Sequence, residues 1–314
     1  MILRGIDFGP VWDASGVRGF FGEGYWYHKW LWPFGLSFKG STFVAKTTTL
    51  APRKGNMELA RGGITPKRLM PDCIVVKRRE GAALNAVGLS GPGAEKLFEA
   101  GRWQKRKDPF FLSFMAVGET LSKRIDELNG FMRLFEKHRA KFRAPVGLQI
   151  NLSCPNTGHD FSEIEHEAIM LLAHAASLRI PLVPKFSVVT PVETVARIAR
   201  HQACDAVCVS NTIPWGQVDA GLRKTLFGSL ESPLAKYGGG GLSGAPLLPL
   251  VLDWLERAGA ARFPKPINAG GGILSPDDAL RTLAEGAESI FIGSAAFLRP
   301  TRVASIIRAA RDGG

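Results

Sequence analysis

From about Pro109 to the C-terminus one pattern repeats: a short apolar run ends in polar or glycine residues, and an amphipathic stretch of helical period follows. The runs fall at 110–117, 146–151, 182–186, 206–210, 266–269 and 289–292. The helical stretches fall at 120–142, 161–177, 191–201, 245–258, 276–285 and 301–310. Strands alternating with helices predict parallel βαβ units. Runs that are apolar throughout fit strands covered on both faces. Two further strand candidates lie upstream, at 10–14 and 42–46, which makes eight, the number that closes a (β/α)8 TIM barrel. An open doubly wound sheet is the competitor, but it needs a GxGxxG turn, and the glycines of 19–24 are wrongly spaced for one. The 314 residues are expected to form one barrel domain, 1–314, with an aromatic-rich N-terminal segment and loop insertions at the C-terminal mouth.

In such a barrel chemistry sits where strands end. Here those ends carry Ser15-Gly16, Lys46-Thr47-Thr48, the stretch Asn151 to Asn156 around Cys154, Lys185, Asn211-Thr212, Gly270-Gly271-Gly272 and Gly293-Ser294. Two lysines, several amides, a thiol and two glycine turns would point at one mouth. A thiol with a pKa of about 8.5 serves as a general base where its surroundings favour the thiolate. Lys46 and Lys185 can supply that field or stabilise a ligand anion. The glycine turns after the last two strands suit a phosphate, because glycine lets a backbone approach closely and barrel phosphate sites lie there.

Charge asks the same question from outside. Lys and Arg total 40 against 28 Asp and Glu, a net +12, so an anionic partner is expected. The basic residues come in short clusters such as Lys77-Arg78-Arg79 and Lys105-Arg106-Lys107, with no long run, so solvated faces are the plainer reading and no nucleic-acid partner is expected. The four cysteines show neither disulfide density nor CxxC spacing, and the six histidines show no metal spacing. His166-Glu167 is followed by Met170 where a zinc motif needs histidine. No apolar leader and no run of about 18 apolar residues is present, so a cytoplasmic protein without membrane contact is expected. Four of the seven tryptophans (Trp12, Trp26, Trp30 and Trp32) crowd the first 32 residues, joined by Tyr25, Tyr27 and Phe34. That segment either plugs the bottom or flank of the barrel or forms a contact for a second subunit or an electron partner.

The stretch Asn-Leu-Ser-Cys-Pro-Asn-Thr at 151–157 resembles the signature loop of dihydroorotate dehydrogenases, FMN enzymes on a (β/α)8 barrel that oxidise dihydroorotate to orotate. Ala14-Ser15-Gly16, Lys46 to Thr49, Pro52 to Asn56, Asn85 to Leu89, Lys185, Asn211-Thr212, Gly240 to Gly244, Gly271-Gly272 and Gly293-Ser294 resemble the family's further motifs, in order. The resemblance implies that Cys154 takes a proton from C5 of the dihydropyrimidine while a hydride leaves C6 for the flavin. It implies that Lys185 stabilises the reduced ring and that Lys46 contacts flavin and the substrate carboxylate. Asn85, Asn151, Asn156, Asn211 and Thr212 would bond the pyrimidine amides. Ser15, Gly16, Lys46, Thr47, Asn151, Lys185, Gly244, Gly272, Gly293 and Ser294 would hold FMN. Cysteine rather than serine at 154 resembles the soluble class, whose members form homodimers and pass electrons to fumarate, or to NAD through an iron–sulfur flavoprotein subunit.

Some features depart from that pattern. Ser113 stands where some relatives carry asparagine, and the aromatic segment has no counterpart. The segment 213–237 is long and, with Pro214-Trp215, resembles dihydropyrimidine dehydrogenases, so a uracil- or thymine-type substrate is the alternative. An RNA dihydrouridine synthase is a more distant one, since its loop reads Asn-x-Gly-Cys-Pro and Ser153 replaces that glycine.

Overall fold

The computed structural model describes residues 1–152 and 161–313. Its main sheet is parallel and contains seven strands: β1 (Val11–Asp13), β3 (Phe110–Phe114), β4 (Val146–Asn151), β5 (Leu182–Ser187), β6 (Val207–Asn211), β7 (Ile267–Ala269) and β8 (Ser289–Ile292). β3 to β8 pair in sequence order, and β8 then pairs with β1. The gap between β1 and β3 is filled by residues 42–48, designated β2. It is bridged in parallel to β1 at Trp12–Thr42 and to β3 at Val44–Phe111 and Thr48–Phe114. Thr42 N donates to Val11 O at 2.8 Å, Ala45 N to Phe111 O at 2.9 Å and Thr48 N to Ser113 O at 2.9 Å, so eight strands close the ring. The ladder of β2 is broken because Lys46 N turns aside to donate to Gly19 O at 3.0 Å. The (β/α)8 barrel expected from the alternating pattern is therefore present, each strand where the apolar runs place it.

The physical cause is visible in burial. All five residues of β3 and all six of β5 are buried, as two-sided coverage requires. Inside the ring Phe8, Trp12 and Phe111 stack at centroid distances of 4.2 and 4.4 Å, over Val44, Val183, Ala206 and Cys208. The barrel interior is thus a packed core, and a small hairpin, Ile2–Leu3 with Ile6–Asp7, sits beside it with Met1 and Leu3 in the same cluster. The long helices expected between strands are found as Leu121–His138, Phe161–Ala175, Val192–Ala199, Leu248–Ala260, Pro276–Ala284 and Val303–Asp312. Caps set several starts: the Thr120 hydroxyl accepts from Lys123 N, and the Ser275 hydroxyl accepts from Asp278 N with Pro276 in the first turn.

Two features were not foreseen. A four-stranded antiparallel sheet, in the order Ile213–Pro214, Gly241–Gly244, Ala82–Asn85, Ile74–Lys77, gathers pieces from two distant loops. The aromatic segment narrows an expectation that left the bottom of the barrel, its flank and a partner contact open. It forms the helix Trp26–Leu31 and a following turn at Trp32–Phe34, and Tyr25, Trp26, Tyr27 and Trp30 border the cleft described below rather than plugging the bottom of the barrel. Trp12 alone of the four early tryptophans belongs to the interior core.

Candidate active site

A cleft of about 1310 Å³ opens at the C-terminal ends of the barrel strands. Its lining includes Ser15, Gly16, Lys46, Thr47, Asn85, Asn151, Lys185, Asn211, Thr212, Gly244, Gly272, Gly293 and Ser294, which are all the site residues singled out from sequence save two. Those two, Cys154 and Asn156, lie outside the described residues. The convergence follows from the fold: each residue lies at or just beyond the end of a strand, or on the antiparallel sheet that roofs those ends.

The floor is a connected polar network. Ser15 Oγ lies 2.8 Å from both Ala45 O and Thr47 Oγ1, and Thr47 Oγ1 lies 2.9 Å from Ser113 Oγ. A carbonyl only accepts, so the Ser15 proton goes to Ala45 O. Thr47 must then donate to Ser15, and Ser113 to Thr47. Ser113, noted in the sequence only as a departure, is the origin of this chain of hydroxyls. Across the floor Asn211 Nδ2 donates to Asn151 Oδ1 at 2.9 Å, while Asn211 Oδ1 accepts from Thr212 N at 3.0 Å. These bonds orient two amides that neighbour one another on β4 and β6.

Both lysines are buried, at 9% exposure for Lys46 and 6% for Lys185. Lys46 Nζ donates to Ser90 O at 2.5 Å and lies 4.6 Å from the centre of the Phe20 ring. Burial lowers its pKa to about 8. Lys185 Nζ lies 4.7 Å from the Phe291 ring centre, and burial pushes its pKa down as well, opposed by the Cys208 thiol. Burial pushes Cys208 itself up to about 11, and its Sγ–H donates to Asn268 Oδ1 at 3.3 Å, so it is a neutral thiol of the core. Among the described residues neither lysine has a carboxylate partner. The charged residues of the whole lining are Lys46, Arg53, Arg68, Arg78, Arg124 and Lys185 against Glu167, which is already paired with Arg124. Such a cleft favours anions.

At the far end Gly244 and Gly272 adopt φ of 100° and 84°. A Cβ on Gly244 would lie 2.1 Å from Gly81 O, and one on Gly272 would lie 2.7 Å from Leu248 N. Only glycine lets these loops close on each other, and it does so at the N-terminus of the helix Leu248–Ala260, where unpaired N–H groups favour negative charge. A flavin phosphate suits that end, and a buried lysine without an acid partner suits an electron-rich ring. The residues present therefore fit FMN. Sequence reasoning missed Tyr25, whose Oη donates to Gly16 O at 2.7 Å. It also missed Asn56, whose Nδ2 donates to Ala86 O at 2.8 Å beside the cleft. Both stood in stretches already noted, but nothing in a sequence tells which way such side chains turn.

The family model for dihydroorotate dehydrogenase matches residues 3–311, nearly the whole chain. The chain belongs to the dihydroorotate dehydrogenase family. It is similar to the catalytic subunit of dihydroorotate dehydrogenase B (NAD(+)) from Thermodesulfovibrio yellowstonii, at 29% identity over 95% of this chain and 87% of that one. It is as similar, also at 29%, to dihydroorotate dehydrogenase A (fumarate) from Lacticaseibacillus paracasei, over 95% of this chain and 91% of that one. In fold it resembles the crystal structure of DHODH in complex with ferulenol from Eimeria tenella, with a TM-score of 0.66 and 19% identity over 99% of this chain and 82% of that one. Among the described residues no helix is long and apolar enough to cross a membrane, and no group of His, Cys, Asp or Glu is placed to hold a metal ion.

Proposed function

We propose that this chain oxidises dihydroorotate to orotate with FMN, as a step of pyrimidine synthesis, and that residues 1–314 act as one flavin-binding unit. The observation that carries the reading is the meeting of Lys46, Asn85, Asn151, Lys185, Asn211 and Thr212 in one cation-lined cleft of a family member. FMN, when bound, supplies the acceptor for the hydride. Cys154, which follows β4 in the sequence, takes the proton from C5 of the substrate. Lys46 binds the substrate carboxylate, and Asn85, Asn151, Asn156, Asn211 and Thr212 pair with the ring amides, so that a ring lacking those groups leaves buried polar atoms unpaired. Lys185 would balance negative charge on the flavin ring, Gly244, Gly272, Gly293 and Ser294 would hold its phosphate, and Ser15, Gly16 and Thr47 would complete the set of residues that hold FMN.

The relatives named for NAD(+) and for fumarate are equally similar to the chain, so the acceptor is read by assay of the isolated protein. An NAD route requires a second, iron–sulfur flavoprotein subunit, in keeping with relatives named as catalytic subunits. A homodimer and a cytoplasmic setting complete the reading. The deciding experiment mixes the purified protein with dihydroorotate without oxygen. Bleaching of a yellow flavin spectrum is expected. Protein that cannot be loaded with FMN, or flavin that bleaches with dihydrouracil and not with dihydroorotate, overturns the assignment.

A further inference from the structure

Among the described residues ten large hydrophobic side chains are exposed, and six of them sit on two short segments: Trp26, Trp30, Trp32 and Phe34 on one, Leu69 and Met70 on the other. Trp26, Trp30, Leu69 and Met70 also line the cleft, which joins the two segments along one rim of its mouth. Their exposure runs from 52% to 74%. The helix Trp26–Leu31 is anchored from within by the buried His28 and by Leu31, which packs on the cluster that contains Ile306 and Ile307. Its outer face is left bare. Exposed apolar patches of this kind mark an interaction surface.

We propose that this rim docks on the surface of an anionic lipid bilayer. Three tryptophans suit the headgroup depth of a membrane, where an amphipathic ring has one apolar face and one wet edge. The charge around them is complementary to acidic lipid. Lys29 lies on the helix itself and Arg53 and Arg78 border the cleft, all three exposed and in no ion pair among the described residues, while Lys67 and Arg68, just before Leu69, are exposed but paired with Glu58 and Asp72 at 3.5 and 3.1 Å. Each basic residue near an acidic leaflet adds attraction that falls off within a Debye length. A second copy seated face to face on this rim would instead bring Lys29, Arg53 and Arg78 against basic residues of its own kind, so the homodimer proposed above is not assigned to this face. No helix among the described residues is long and apolar enough to cross a membrane, so the contact is peripheral. The expectation of no membrane contact rested on the lack of an apolar leader and of a spanning run and on the likeness of Cys154 to the soluble class, and none of these bears on a peripheral surface. The inference does not depend on the proposed reaction, because binding is read without turnover.

The test uses the full chain with vesicles of phosphatidylglycerol and, as control, of phosphatidylcholine, at about 0.15 M salt. The three exposed tryptophans all lie on the rim, while Trp12, Trp103, Trp215 and Trp254 are buried. Quenching by brominated phosphatidylglycerol therefore reports insertion of this segment alone. Sedimentation with the anionic vesicles and quenching of tryptophan emission are expected. The double variant Trp32→Ser, Phe34→Ser, at two positions outside the cleft lining, should bind at least tenfold more weakly while its flavin content and dye-linked turnover stay unchanged. Failure to bind overturns the proposal. So does binding without quenching, or binding that the double variant retains. A dimer in solution that the double variant abolishes, with no vesicle binding, would give the rim to a second copy and overturn it equally.

Discussion

The floor of the cleft holds Lys46, Thr47, Lys185 and Asn211 on strands that neighbours fix on both sides, whereas the rim holds Trp26, Trp30, Leu69 and Met70 on connections covered from one side only. On the floor Lys46, Thr47, Ser113, Asn151 and Asn211 have defined hydrogen-bond partners, and the two cations are buried at a cost that no carboxylate among the described residues offsets by pairing. At the rim the apolar atoms face water. Each region carries an unmet demand, one for an anion inside and one for a covering surface outside. The barrel thus separates a rigid chemical site from a surface that can change without disturbing it.

If that division holds, the largest losses come from groups meant to act on the substrate. Cys154→Ala should lower the rate of flavin bleaching by dihydroorotate about 10²- to 10⁴-fold, the range of a missing general base, with FMN still bound. Stopped-flow absorbance at the flavin band measures it, and an unchanged rate would remove the thiol from the reaction. Lys185→Met comes next, at about 10²- to 10³-fold in the same rate. Its flavin midpoint potential should fall, because the cation beside the ring is gone. An unaltered potential would mean that Lys185 only fills space. Neither variant should alter vesicle binding, and if either does, floor and rim are coupled.

The floor and the rim also differ in how far they could be read beforehand. Runs such as 146–151 and 182–186 announce buried parallel strands, because two-sided coverage leaves no room for polar alternation, and a closed barrel then carries every strand end to one mouth. Thus Lys185, Asn151 and Asn211 were legible from position alone. β2 was legible as a run but not as a broken ladder, since the diversion of Lys46 N to Gly19 O depends on a loop 27 residues away in no regular register. The antiparallel sheet was not legible, because Ala82–Asn85 and Gly241–Gly244 are short, rich in Ala and Gly, and acquire strand geometry only from partners distant in sequence or as short as themselves. The aromatic segment was conspicuous in composition, yet its side chains divide between inside and outside within one helical turn, with His28 buried and Trp30 bare.

Lys46 allows a finer cut through the floor. Burial holds its pKa at about 8, below the ordinary 10.5. Between those two values the unfolded chain keeps the proton and the folded chain does not, so its contribution makes stability rise as pH climbs from about 8 to 10.5. Below 8 the charged form is present and bears the cost of burial. Activity runs the other way: kcat/KM for dihydroorotate should fall above pH 8, approaching tenfold per unit, as the cation that binds the carboxylate is lost. Lys46→Gln should flatten that limb. A dihydropyrimidine without a carboxylate should show no such limb in the native protein. If it does, the titration belongs to another group.

The smallest expected effect lies where rim meets floor. Tyr25 belongs to the aromatic segment, yet its Oη donates to Gly16 O at 2.7 Å, within the turn that carries Ser15. Gly16 has φ of 92°, a conformation that disfavours other residues, so the turn needs external support. Burial pushes the phenol pKa up, which keeps the donor protonated at any ordinary pH. Tyr25→Phe retains the ring and deletes only the bond, leaving Gly16 O with the longer contact from Gly19 N at 3.2 Å. A net hydrogen bond of about 1 kcal/mol corresponds to roughly fivefold in affinity, so the Kd for FMN should rise by about that factor while kcat on the loaded protein changes less than about twofold. Fluorescence titration of the apoprotein with FMN measures the first, and turnover at saturating flavin the second. An unmoved Kd would mean that the aromatic segment touches the floor without shaping it. A large fall in kcat would mean that the turn it supports is part of the reacting geometry, and the boundary between the two regions would have to be drawn outside Tyr25.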